Sequence, residues 1–398
     1  VDAETAHSAR DTRARIPPWE PAATRLLRGI AGRIHLIASA TPTNLSAELA
    51  RLEGAFARGE EQEPRFAYEP AAPPAELETA LARSADALEG QGPLAELYAA
   101  RARELRLEAR LCAAVGGPTF RSLAGLRYSR RDEHDAAADC LCERWLGWAE
   151  ALREGGAREA LTSTDDAADP HSLVCALGRA IGALGLPVRL SVTDRLSALA
   201  ATGAGVIYVA RGRRLRRRDV ARTVVHEIHG HALPRERALA TALGIFALGT
   251  AWGADDQEGR AILLERDASL LDHERRTELA RRHRAARGVE HGECFVETVR
   301  ALRATGADLS DALRVAARAH RGSGLGRERV YLPALLRVAA ARGDPRVERA
   351  LAAGKVAVDA APELAPFVSG VIPTSHQAPA LRCRLARSLG AESGTVGP

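Results

Sequence analysis

Between Ala22 and about Glu154, apolar residues recur at three- and four-residue spacing. LSAELARLEGAFA, AELETALARSADALE and LAELYAARARELRLEARLCAAV each lay leucine and alanine along one face, the pattern of amphipathic helices. Proline-rich EPAAPP (69–74) interrupts them, and residues 1–20, ending in IPPWEP, read as an irregular arm. DDAADP (165–170) marks a boundary, with Asp or Ser able to cap the helix HSLVCALGRAIGALG, which Gly185 ends. The period then shortens. VRLSVT (188–193) and GVIYVA (205–210) are the strand candidates, separated by a turn rich in small residues. Helical spacing returns near Arg218 and runs, with breaks, almost to the end; after Pro373 the chain is rich in Gly, Ser and Pro and is expected to be loose. The expectation is an α+β protein, predominantly helical, with a small antiparallel sheet just before a histidine-rich segment.

Composition changes this picture little. Aromatics make up 4% of the 398 residues, so alanine, leucine and valine must fill the core. The net charge of +5 is mild and does not by itself imply nucleic acid. Lys355 is the single lysine among 56 basic residues, a skew that reflects a GC-rich genome more than function. No apolar run approaches the roughly 18–20 residues that span a bilayer, and the N-terminus lacks an apolar signal region, so a cytoplasmic protein without a membrane partner is expected. Six scattered cysteines are not a disulfide framework. Cys140 and Cys142, near His134, Asp135 and Asp139, are read as structural.

RTVVHEIHGHALPRE (222–236) carries the candidate chemistry. It begins like the helix of a zinc protease, but H-E-x-x-H would need histidine where Gly230 stands. Val220, Val224, Val225 and Ile228 supply an apolar face. On an ideal helix His226 and His231 differ by about 140° and do not converge. A π-bulge would bring an i,i+5 pair to one side, and Gly230 offers the backbone freedom for it. The rival pair is His226 with His229, only about 60° apart. Glu227 is placed to act as a general base. A third ligand is sought in TAWGADDQEGRAILLERDASLLDHE, where a Gly-Ala-Asp-Asp loop leads to a helix with Glu258 in its first turn. Asp255, Asp256 and Glu265 are rivals by position.

HEIHGH followed by QEGRA resembles the HExxxH zinc peptidases typified by the microtubule-associated tyrosine carboxypeptidase, with a bacterial branch of flavohemoglobin expression-modulating QEGLA-motif proteins. The resemblance implies zinc, one ion per chain, held by His226, His231 and Glu258, with Glu227 catalytic and His229 uninvolved. TPTNLSAELARLEGAF and PRFAYEP look like the family's N-terminal segment and its P-x-F-x-Y sequence. RAHRGSGLGRERVYL (318–332) looks like its R-V-Y-R-G and T-K-D-x-x-Y-L elements. Arg260 stands where the family has leucine, His320 where it has an aromatic, and Arg327 and Glu328 where it has lysine and aspartate. Zinc binding is little touched by these departures; preference for a terminal tyrosine is.

The expected organisation is a helical N-terminal region (1–165), a zinc-peptidase-like catalytic domain (166–345) and a C-terminal extension with its tail (346–398). The expected activity is carboxypeptidase action on a peptide or protein C-terminal tail. Glu227 would move the water's proton to the leaving amine. Tyr331 would steady the oxyanion, and Arg318, Arg321 and Arg327 would offer guanidinium forks to a terminal carboxylate. Two alternatives remain: an endopeptidase, or a non-catalytic zinc protein using RGRRLRRR (211–218) on phosphates. The second is disfavoured, because structural zinc sites are usually closed and cysteine-rich.

Overall fold

The computed structural model describes residues 16–69, 75–151, 160–194, 196 and 198–368. The tail after Pro373 and most of the N-terminal arm lie outside the described residues.

Helices Glu20–Ala31, Leu45–Ala57, Ala75–Leu88, Pro93–Ala113 and Glu133–Ala151 occupy the region read as helical from its apolar spacing. Leu27, Leu81, Tyr98 and Trp145 from these helices share one core with Phe246, Leu332, Leu351 and Leu364 from the other end of the chain. Leucine and alanine dominate that core, as the scarcity of aromatics requires.

Two small sheets follow. β1 (Leu161–Ser163) pairs antiparallel with β5 (Arg214–Arg216). β2 (Arg189–Thr193), β3 (Ala200–Thr202) and β4 (Val206–Ala210) form the other, in the order β2-β4-β3. β3 and β4 are antiparallel neighbours, whereas β2 joins β4 in parallel. The segment between β2 and β4 is long enough to form a further strand on the far edge, so β4 returns into the middle. A turn alone would have made a hairpin. β5 and the start of the next helix also account for the arginine run. Arg211 pairs with Asp194 (3.1 Å), Arg216 with Asp219 (3.0 Å) and Glu274, and Arg218 with Asp272 (2.9 Å).

The histidine segment is helical throughout but changes its winding: α-helical over Arg217–Val224, π-helical over Val225–Ala232, α-helical again over Leu233–Ala240. Val220, Val224, Ile228 and Ala232 lie in one stripe against Leu173, Leu177, Ile207 and Val209, whereas Val225, expected on the same face, packs instead on Leu264 of helix Gly253–Asp267, because the stripe turns away from it. Burying each valine or isoleucine contributes about 1.5–3 kcal/mol, which fixes this helix on the sheet and turns its opposite face toward the acidic helix Gly253–Asp267. That helix starts at Gly253, after Trp252 in a left-handed conformation (φ 61°), so Glu258 stands in its second turn rather than its first. The Gly-Ala-Asp-Asp segment is its first turn, not a loop.

Two small-residue contacts lock this helix in place. A Cβ on Gly230 would lie 2.6 Å from that of Ala261. One on Gly259 would lie 2.3 Å from the carbonyl carbon of Ala334, in helix Tyr331–Ala340. The value of Gly230 is therefore close approach between helices; its φ is not in the left-handed region.

Candidate metal centre

The π-helical turn answers the azimuth problem posed by the five-residue spacing. It adds a residue per turn, so His226 and His231 emerge on one side, their ring centroids 4.9 Å apart. Glu258 meets them from the acidic helix: Oε2 is 3.4 Å from His226 Nε2 and 3.8 Å from His231 Nε2. One ligand atom from each residue lies within 4.8 Å of the other two. Among the described residues this is the only such cluster of His, Cys, Asp or Glu.

Each ring is held through its other nitrogen. His226 Nδ1 bonds Glu265 Oε1 at 2.7 Å and His231 Nδ1 bonds Gln257 Oε1 at 3.1 Å. Both contacts leave Nε2 facing Glu258. Carboxylate or carbonyl oxygens on the outer nitrogen are the usual second layer of a histidine metal site. Glu265 is fully buried and takes two further bonds from Arg275, at 2.9 and 3.0 Å. Two imidazoles and a carboxylate, with outer partners in place, suit a divalent zinc ion with one position left open.

The electrostatics agree with this donor set. Burial alone would raise the Glu258 carboxyl, but His231, His226 and Arg327 hold it well below the ordinary carboxylate range. Burial opposes charge on His226, yet Glu258 and Glu265 lift it to about 10. A cation bound here exchanges with that proton. His229 differs. Burial, with Arg260 and Arg237 nearby, pushes it down to about 4, and it takes no part in the cluster.

The rivals to Glu258 have other partners. Asp255 pairs with Arg127 at 2.8 Å, and Asp256 bonds Arg337, Arg130 and the Val358 N–H. Glu265 stands behind His226 and orients it. Glu227, buried beside the histidines, accepts a 2.7 Å bond from the Thr202 hydroxyl on β3.

Tyr331 is buried, with the Arg282 guanidinium 5.9 Å from its ring centroid. Burial, then Glu258 and Glu328, raise its phenol above the ordinary value. The three sequence-selected arginines lie close by. Arg327 donates to Glu258 Oε1 at 3.1 Å; Arg318 and Arg321 share the fully buried Glu328, at 3.1 and 3.3 Å. The helix Leu309–Gly324 breaks at Arg321–Ser323, where Gly322 (φ 68°) has no room for a side chain: a Cβ would sit 2.4 Å from Phe120. The P-x-F-x-Y segment braces this break. The Tyr68 hydroxyl accepts from the Gly322 N–H at 2.9 Å, Phe66 stacks edge-on against Phe295, and Asn44 holds Arg65 and Ala67 by their backbones.

Gln257, Glu265, Thr202 and Glu328 are the functional partners that spacing did not single out in these roles. A second-layer signal was present only in that Gln257 and Glu265 share a helix with Glu258. The C-x-C forms no metal cluster: the Cys142 thiol, raised to about 12 first by burial, donates to the Ala280 carbonyl, while Asp139 bonds His283 and Arg287.

Two imidazole nitrogens and a carboxylate around one point, with a second glutamate beside them, form a group that could hold a metal ion. The family model for microtubule-associated tyrosine carboxypeptidase matches residues 54–382, and the chain belongs to that family of metallo-carboxypeptidases. No curated protein matches the chain. Among the described residues, no helix is long and apolar enough to cross a membrane.

Proposed function

We propose that this chain is a zinc-dependent carboxypeptidase that removes a C-terminal residue from a peptide or protein tail in the cytoplasm. The convergence of His226, His231 and Glu258 across a π-helical turn carries this reading. One zinc ion per chain, held by these three residues, would supply Lewis acidity toward the scissile carbonyl and toward water.

The chain's own residues do the rest. Glu227, its carboxylate steadied by Thr202, takes a proton from the attacking water and passes it to the leaving amine. Tyr331 keeps its proton and donates to the developing oxyanion. Arg318, Arg321 and Arg327 form the anion-facing wall. Arg321 is the most available of them: its Nε is buried without a hydrogen-bond partner, and such a donor gains from an incoming carboxylate.

The test is mass spectrometry of a peptide library varied at its C-terminus, incubated with zinc-loaded protein and with Glu227→Gln. Loss of single terminal residues by the parent, and none by a variant that retains its zinc, is the expected result. Internal cuts would replace carboxypeptidase by endopeptidase action, and unaltered turnover by Glu227→Gln would remove Glu227 from its role.

A further inference from the structure

One edge of the three-stranded sheet runs past Glu227. β3 pairs with β4 on one side, and among the described residues no strand pairs with its other side. The phase of the hydrogen bonds tells which backbone groups face outward. The Gly203 N–H donates to the Val206 carbonyl at 2.7 Å, and the Leu199 carbonyl accepts from the Ala210 N–H at 2.9 Å. Bonded and non-bonded positions alternate along an antiparallel pair. Leu199, Ala201 and Gly203 therefore turn their N–H and C=O groups to β4, and Ala200 and Thr202 turn theirs away from it.

Thr202 joins this edge to the site. Its hydroxyl donates to Glu227 Oε2 at 2.7 Å, across the gap between the strand and the π-helical turn. Glu227 follows His226, whose Nε2 lies 3.4 Å from Glu258. It thus stands between the strand edge and the metal cluster. A chain paired with β3 lies about 4.8 Å from it, a spacing that keeps the added backbone close to the Glu227 carboxylate.

The edge is also undefended. Open strand edges normally carry lysine, proline, a bulge or an inward charge that stops other chains from adding. Residues 199–203 read LAATG, with neither charge nor proline, and their register with β4 has no bulge. The opposite edge strand, β2, follows Pro187 and opens with the exposed Arg189. Small side chains leave clearance for an incoming backbone. Ala200 is buried, and among the described residues no hydrogen bond reaches its outward N–H or C=O. Buried backbone groups are seldom left without a partner.

We propose that the substrate adds to the free edge of β3 as an extended strand, its backbone hydrogen-bonded to Ala200 and Thr202. The assignment rests on the peptidase reading. Main-chain bonds supply the affinity in this mode of recognition. The substrate class is therefore an unstructured tail whose paired residues keep their N–H groups, which excludes proline at those positions.

The probe is a pool of dye-labelled hexapeptides with free C-termini, captured on zinc-loaded Glu227→Gln protein so that no peptide is consumed. The tightest binder is remade with each amide N-methylated in turn, and affinity is read by anisotropy. Methylation is expected to cost about tenfold at alternate residues and less than about threefold at the residue between them. Ala200→Pro removes one outward N–H and leaves the ladder to β4 intact. It should weaken the parent peptide about tenfold with zinc content unchanged; if the variant loses its zinc, the methylated series decides alone. Uniform sensitivity along the peptide, no sensitivity, or a pool in which nothing binds would overturn the proposal. A dimer of the free protein that Ala200→Pro dissolves would give the edge to a second copy and overturn it as well. Alternation without cleavage by unmutated protein defeats the peptidase reading and leaves the edge in place. Cleavage without alternation defeats the edge alone.

Discussion

His226 and His231, five residues apart, meet edge-on across a 4.9 Å gap between ring centroids, with their planes inclined by 65°. An α-helix forbids this pairing, and one turn of π-winding permits it. The wider turn is stabilised from both sides: Ile228 packs into the sheet, and Gly230 presses on Ala261.

Gly230→Ala is the most direct probe of that arrangement. The new methyl would meet the Ala261 Cβ at 2.6 Å, so the acidic helix must move away and take Glu258 with it. Overpacking of this kind costs about 1–3 kcal/mol. Urea unfolding should show that loss and metal analysis a weaker zinc site. Adding Ala261→Gly should restore both, and failure to do so would uncouple the contact from the site.

Glu265→Gln tests the outer layer. Its carboxylate fixes the His226 ring, and partners in that position are worth about 10–100-fold in metal affinity. Competition with a chromophoric chelator should register a fall of that size. Affinity equal to the parent's would leave Glu265 a partner of Arg275 only.

Glu328→Gln removes the counter-ion that Arg318 and Arg321 share. Breaking a buried pair leaves charge uncompensated at a cost of about 3–5 kcal/mol. Chemical denaturation should report a destabilisation of that order. A change below about 1 kcal/mol would mean that the two guanidinium groups find other compensation.

His320 gives the protein an acid-sensitive point. Burial pushes its pKa down to about 4, while its Nε2 bonds the Thr298 hydroxyl at 2.8 Å. Because the folded value lies below the unfolded one of about 6.5, the ring is neutral in both states at higher pH and affects stability there little. As the pH falls below about 6.5 the unfolded chain takes up the proton first, and stability declines toward pH 4. His320→Phe keeps the ring contact with Phe295 and should flatten this part of the stability–pH curve. An unchanged slope would assign the acid loss to other groups.

Much of the site could be read in the sequence because its signals are local. HEIHGH sets a five-residue interval that only a distorted helix satisfies, and the valine stripe says which way that helix faces. The strands at 188–193 and 205–210 were equally legible from their β-branched runs. Sheet order was not: Ala200–Thr202 is too short and too small in its side chains to announce a strand, and its presence reverses how β2 and β4 pair. The support for His226 also lay beyond spacing. Glu265 is 39 positions away, and its distance from the ring is set by how two helices cross. QEGRA itself gains a physical reading: Gln257 orients His231, Glu258 faces the imidazoles, Gly259 admits Ala334, and Ala261 abuts Gly230. Arg260, the departure from the family pattern, donates to the His229 carbonyl and leaves the cluster untouched.

The paired contacts Gly230–Ala261 and Gly259–Ala334 carry one more implication. Three helices touch there through glycine backbone and alanine alone, so the spacing of His226, His231 and Glu258 has little room to adjust. Under the proposed function, variation in what the site accepts falls to Arg318, Arg321 and Arg327, which take no part in these contacts. Designed variants can then be changed at those positions while the three converging side chains stay where they are.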